Sequence, residues 1–253
     1  MVRNLVAYGL RLEKHRKQIR QSSIVRKKFW RRNVNFVRKG ENSMSYSSLF
    51  GIKENYTGEI ICDFKNSWLF SPVVMGILPD KYIPEFITTP FGFKKSIISN
   101  MTGEVYKRTN HEVNICKNTA DRICWELVNQ QIFFTKDRKL VSDSIRKFVK
   151  QNKDYDKSDE DGLSPLEREH IIERFNEIAD SILELDESEY PFFVFKNTSC
   201  DDGVERWFNR YDDKQDEYLE CSMKDNIDNF YAEFIIIENG EIVKFISNRD
   251  FKY

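Results

Sequence analysis

Two stretches of the chain space their apolar residues as a helix does. Over 164–185, Ile171, Ile172, Phe175, Ile178, Ala179, Ile182 and Leu183 form one broad stripe, with Glu169, Glu173, Glu177, Asp180 and Glu184 on the remaining faces. The spacing predicts an amphipathic helix. Its start is written too: Ser164, Pro165 and Glu167 stand at N-cap, N1 and N3, a capping box. Leu140, Val141, Ile145, Phe148 and Val149 predict a second such helix over 137–151.

Short apolar runs bounded by turn residues predict strands over 59–64, 68–74, 122–128, 131–135 and 191–196, with a helical turn over 79–86 between prolines. The runs over 122–128 and 131–135 are expected to pair across Asn129 and Gln130. Asn239-Gly240 between two apolar runs predicts a terminal hairpin over 230–247, because both residues tolerate the positive φ that a tight hairpin turn demands. Helices and strands in this irregular order give an α+β class with a largely antiparallel sheet and several amphipathic helices. Ahead of it, Leu5, Val6, Leu10 and Leu12 predict one helix. Val25, Phe29, Val34 and Val37, capped by Ser22 or Ser23, predict another over 24–38. Together they make a basic N-terminal helical arm.

Charge sharpens this division. Residues 1–43 hold 13 Lys and Arg against two acids, a balance of +11, and 44–153 carry +5. Residues 154–229 carry 24 acids against eight basic groups, a balance of −16, within a chain whose net charge is only −1. Four parts follow: the arm over 1–43, an α+β part over 44–151, an acidic linker over 152–163, and an acidic helix with C-terminal strands over 164–253. Met44 is a natural second start, which makes the arm an extension of the fold.

Composition excludes several classes. With 20 Phe, 11 Tyr and 4 Trp in 253 residues, the chain has the apolar area to offset the entropy of ordering. The longest weakly polar stretch, over 68–79, is broken by Ser71, Pro72 and Gly76. It is shorter than the roughly 20 residues a membrane span needs, so no membrane contact is expected. The first residues are interrupted by Arg3 and followed by Arg11, Lys14, Arg16 and Lys17, unlike a secretory leader, so a cytoplasmic protein is expected. Cys62, Cys116, Cys124, Cys200 and Cys221 are odd in number and nowhere at C-x-x-C spacing, which predicts buried free thiols. Aspartates in the linker follow a faint calcium-loop order without its sixth-position glycine or closing glutamate. Neither a metal nor a cofactor is expected, since Gly-rich phosphate loops and nucleophile elbows are also missing.

Three constellations could carry function. Asp63 and Lys65, two apart on one strand, resemble the acid and lysine pair that metal-dependent nucleases of the PD-(D/E)xK type use, without that family's earlier aspartate. Arg26, Lys27, Lys28, Trp30, Arg31 and Arg32 combine phosphate-binding charge with a stacking ring, which would suit nucleic acid. The third is acidic and studded with aromatics: Asp201, Asp202, Glu205, Asp212, Asp213, Asp216 and Glu217 interleave with Trp207 and Tyr211. Ringed aromatic anchors are what a protein-contact surface uses. The sequence therefore points first to a non-catalytic binding factor, of inhibitor, immunity, DNA-mimic or phage anti-defence type, facing a basic protein partner. Self-association of the basic arm with the acidic rear is a further expectation. Residue usage rich in Asn, Lys, Ile, Phe and Asp is that of a low-GC bacterium or its phage.

Overall fold

A computed structural model describes residues 46–65, 70–87, 103–157, 161–196, 204–226 and 232–252. The arm over 1–43, with Arg26, Lys27, Lys28, Trp30, Arg31 and Arg32, lies outside the described residues, as do Asp201, Asp202 and the side chains of Lys65 and Glu205. Helices are α1 (Phe70–Tyr82), α2 (Pro84–Ile87), α3 (Glu104–Ile115), α4 (Thr119–Val128), α5 (Arg138–Gln151), α6 (Glu169–Leu183) and α7 (Val204–Trp207). Strands are β1 (Tyr46–Ile52), β2 (Gly58–Lys65), β3 (Ile132–Phe134), β4 (Phe192–Lys196), β5 (Asn209–Asp212), β6 (Glu217–Glu220), β7 (Glu233–Glu238) and β8 (Glu241–Ser247).

Six of these strands make one sheet in the order β2-β1-β4-β3-β7-β8. All neighbours are antiparallel except β3 and β7, which run parallel. The protein is thus α+β with a largely antiparallel sheet. Strands from both sides of the acidic segment over 152–163 share that sheet. Among the described residues, no helix is long and apolar enough to cross a membrane.

The period-2 alternation of strands decides where each side chain goes. Leu49, Phe133, Phe193, Phe195 and Ile235 join the helices in the larger core, while their neighbours Phe50, Ile132, Phe192, Val194 and Phe234 enter a second core on the opposite face. Val204, Trp207, Phe208 and Met223 cover that second face. The central strand β4 is buried on both sides, which is why Phe-Phe-Val-Phe reads as a continuous apolar run.

The expected helices over 137–151 and 164–185 form as α5 and α6. The capping box is present, but it closes a 3-10 turn over Pro165–Glu167, and α6 begins after it. The terminal hairpin forms as β7 and β8, with Asn239 at φ 51° and Gly240 at φ 80°. Strands expected over 59–64, 131–135 and 191–196 correspond to β2, β3 and β4.

Two expected strands are helices. The described part of the run over 68–74, residues 70–74, is the start of α1, whose buried Phe70, Val73, Val74, Ile77 and Leu78 do follow helical spacing. Met75 and Pro79 are buried as well, which blurs the stripe. Pro72 sits in the first turn, where a missing N–H costs nothing. The run over 122–128 belongs to α4, capped by Asn118, whose Oδ1 accepts from the backbone N–H of Ala120 (3.2 Å) and Asp121 (3.5 Å). Packed by α5, α3, α1 and β4, α4 buries nearly every residue, Asp121 and Glu126 included. Burial on all sides, rather than strand structure, explains both apolar runs.

Candidate functional site

Asp63 and Lys65 sit on β2, an edge strand. Asp63 lies opposite Ser48 on β1, whose hydroxyl donates to its Oδ1 at 2.5 Å. Glu59, further along β2, accepts from Lys53 Nζ at 3.0 Å and from the Tyr190 hydroxyl. Among the described residues, no three His, Cys, Asp or Glu side chains come together to hold a metal. The nearby Cys62 thiol is pushed up to about 12, first by burial, so it is not a ready nucleophile.

The acidic stretch divides in two. Trp207, expected as an exposed anchor, is buried at 4% exposure. It packs edge-on to Phe208 at 6.3 Å, and Phe208 stacks on Phe50 of the sheet at 5.6 Å. The short helix α7 folds this pair under the second face because that face would otherwise leave Phe50, Phe192 and Phe234 uncovered. Beyond Phe208 the chain turns out into a separate two-stranded ribbon, β5 with β6. Tyr211 and Tyr218 face each other across it, ring centroids 5.1 Å apart, and Tyr218 is 68% exposed.

Tyr211 donates its hydroxyl to Asp216, and that bond raises its pKa from the usual phenol value. Asp212 accepts from the backbone N–H of Lys214 and from Gln215 Nε2, both at 2.9 Å. These bonds hold its carboxyl below the usual range. Asp212 therefore closes the turn, and Asp213, Asp216, Glu217 and Glu220 remain as the exposed acids around Tyr218 and Leu219. The acidic face of α6 is less available. Asp180 pairs with Arg146 of α5 at 2.5 Å, and Glu187, just beyond the helix, pairs with Arg138 at 2.8 Å.

A second polar site lies outside the three constellations that the sequence suggests. Tyr106, Asn110 and Asn114 stand four residues apart on α3 and line a cleft of about 470 Å³ with Glu126 of α4 and Glu233 of β7. Asn129 and Gln131 close it, on a turn where Gln130 takes φ 57°. Glu126 is only 2% exposed. Its Oε2 accepts from Asn129 Nδ2 at 3.3 Å, whereas its Oε1 has no hydrogen-bond partner, and neither has Asn114 Oδ1. Burial pushes the Glu126 carboxyl up to about 7, with the Glu233 charge adding to it and Asn129, Arg122 and Asn114 opposing. Tyr106, 3.0 Å from Asn129 Oδ1, is pushed up to about 12 by burial and by the two glutamates. The four-residue spacing of Tyr106, Asn110 and Asn114 was the available signal. The apolar stripe of α3 is only Val105 and Val113 beside the buried Thr109, too thin to announce a helix.

Compared with known proteins, the chain matches no family model, no curated protein and no solved structure.

Proposed function

We propose that this protein acts by binding a protein partner with a basic surface, through the β5–β6 ribbon. The observation that carries this reading is the ribbon's make-up: Tyr211, Tyr218 and Leu219 exposed on strands outside the main sheet, set among Asp213, Asp216, Glu217 and Glu220. A protein rarely maintains exposed aromatics on an isolated two-stranded ribbon, which gains little from its own burial, unless they are covered elsewhere. Rings would supply most of the affinity, and the carboxylates would supply steering and choice of a basic partner.

Capture from nuclease-treated extract with the wild-type chain, Tyr218→Ala and the pair Asp213→Lys with Glu217→Lys tests it. A basic protein retained by the wild type should be lost from Tyr218→Ala by faster dissociation. Charge reversal should slow its association, an effect that shrinks as salt rises. Trp207→Ala, by contrast, should lower the melting temperature. Retention unchanged by both ribbon variants, or abolished by nuclease, would overturn the reading. Asp63→Ala should leave capture intact, whereas the nuclease reading requires that it destroy activity.

A further inference from the structure

We propose that Glu126 carries a proton that it donates to Asn114, fastening α3 to α4, and that loss of this proton loosens α3. This device is separate from the ribbon and does not rest on the function proposed for it.

Trp125 Nε1 can only donate, and it donates to Asn110 Oδ1 at 2.8 Å. The indole therefore fixes which way the Asn110 amide faces. Asn114, one turn further along α3, must present its nitrogen to the same oxygen, and does so at 3.2 Å. Its Oδ1 is then left as a buried acceptor without a donor. Turning the Asn114 amide round would set two oxygens against each other. Asn129 is held likewise, its Oδ1 taking the Tyr106 hydroxyl at 3.0 Å while its Nδ2 serves Glu126 Oε2 at 3.3 Å. Glu126 Oε1 is the second buried acceptor without a donor in the same cleft, and Asn114 is close enough to act on its carboxyl. Native proteins keep few such orphans. A proton on Oε1 makes one of the two a donor to the other, and nothing from outside the chain is needed.

The charged and titratable groups facing Glu126 are Tyr106 from α3, Glu233 from β7 and Arg122 on its own helix. Among the described residues, β8 brings Phe245 to the cleft and the 129–131 turn brings amides. Tyr106, pushed up to about 12, keeps its proton throughout the neutral range. Arg122, Asn129 and Asn114 favour the ionised carboxyl, but burial outweighs them and the Glu233 charge works with it, which places the carboxyl at about 7. A raised carboxyl of this kind fastens fully below its ordinary value of 4.5 and lets go as pH climbs through about 7.

Helix α3 is the element that yields. It packs chiefly on α1 and α4, and the side chains it buries fully are Val105, Thr109 and Val113. The rest of its grip is this polar cluster, together with the Tyr106 ring stacked on Trp125 at 5.5 Å. An ionised Glu126 takes one bond from that short set and leaves a buried negative charge beneath the helix, which water can reach once α3 lifts.

Amide hydrogen exchange of the full chain, followed by NMR at pH 6 and pH 8 and corrected for the intrinsic rise with hydroxide, tests the proposal. With the carboxyl at about 7 under docked α3 and at 4.5 once α3 lifts, the α3 amides should exchange roughly tenfold faster at pH 8. They should also exchange sooner than those of α6, while the ribbon amides show no rise. Glu126→Gln should hold α3 equally at both pH values, because its side-chain N–H serves Asn114 Oδ1 whatever the pH. Asn114→Ala removes the acceptor and should shrink the rise, and it supplies the comparison should Glu126→Gln not fold by circular dichroism. Exchange of α3 that is flat between the two pH values, that keeps its full rise in a folded Glu126→Gln or Asn114→Ala, or that comes no sooner than that of α6 would each overturn it.

Discussion

Asp121 and Glu126 sit on the same helix, α4, and both are buried, yet their surroundings are opposite. The Asp121 carboxylate is fully engaged. Its Oδ2 accepts from Lys81 Nζ and the Tyr82 hydroxyl, each at 2.6 Å, and its Oδ1 accepts from Asn152 Nδ2 at 3.0 Å. Lys81 donates a second bond to Asn152 Oδ1 at 2.9 Å and lies 5.6 Å from the centre of the Tyr155 ring. This hub ties α1, α4 and the end of α5 together, and it leaves nothing for a ligand to add. Glu126 has one weak amide bond, an acidic neighbour and an idle oxygen. A charge that is completely paired acts as a fastener. One that is half paired carries the cost of its burial.

The largest test of this contrast is Asp121→Ala. It leaves the half-buried Lys81 without a counter-charge and should cost about 3 kcal/mol in chemical denaturation. Replacing both partners, Lys81→Met with Asp121→Leu, should recover much of that loss. A single variant that cost no more than a surface change would show the hub is not a fastener at all.

Glu126→Gln should act in the other direction. The folded-state carboxyl is raised from 4.5 to about 7, so the wild type gives up stability as pH climbs through that window and recovers none above it. The amide has no such loss. Glu126→Gln should therefore be the more stable protein at pH 8, by up to about 3 kcal/mol, and roughly equal at pH 4. Equal stability at both values would mean Glu126 is not the strained group described here. The smallest effect belongs to Tyr218→Ala, which should change folding stability by no more than about 0.5 kcal/mol. A larger loss would mean the ribbon supports the fold.

Of this architecture, the sequence made legible what alternates or repeats. The α5 and α6 stripes, the Ser164 capping box and the Asn239-Gly240 hairpin are local statements, complete within a few residues. The elements whose runs read as strands are α1 and α4, buried on nearly every side because other elements surround them. Strand β1 escaped because Ser47, Ser48 and Gly51 are poor strand formers, yet both serines are buried in the sheet. Asn152, read as the head of a polar linker, is buried against Asp121 for the same reason: its partner lies 31 residues away. The candidate sites divide likewise. Ribbon acids could be read off as a cluster, while Trp207 needed the second face of the sheet to explain its burial. The Glu126 cleft draws on four separate elements, and no window of sequence contains it.

The one parallel pairing in the sheet also has a consequence during synthesis. Strand β3 is bordered on one side by β4 and on the other by β7, which lies about a hundred residues further along the chain. Until the final hairpin leaves the ribosome, the nascent protein presents an open strand edge beside the aromatic run of β4, without Phe234 and Ile235 to cover it. Such long-range closure makes folding slow. A stop codon ahead of residue 232 should thus yield an aggregate rather than a shortened but soluble fold.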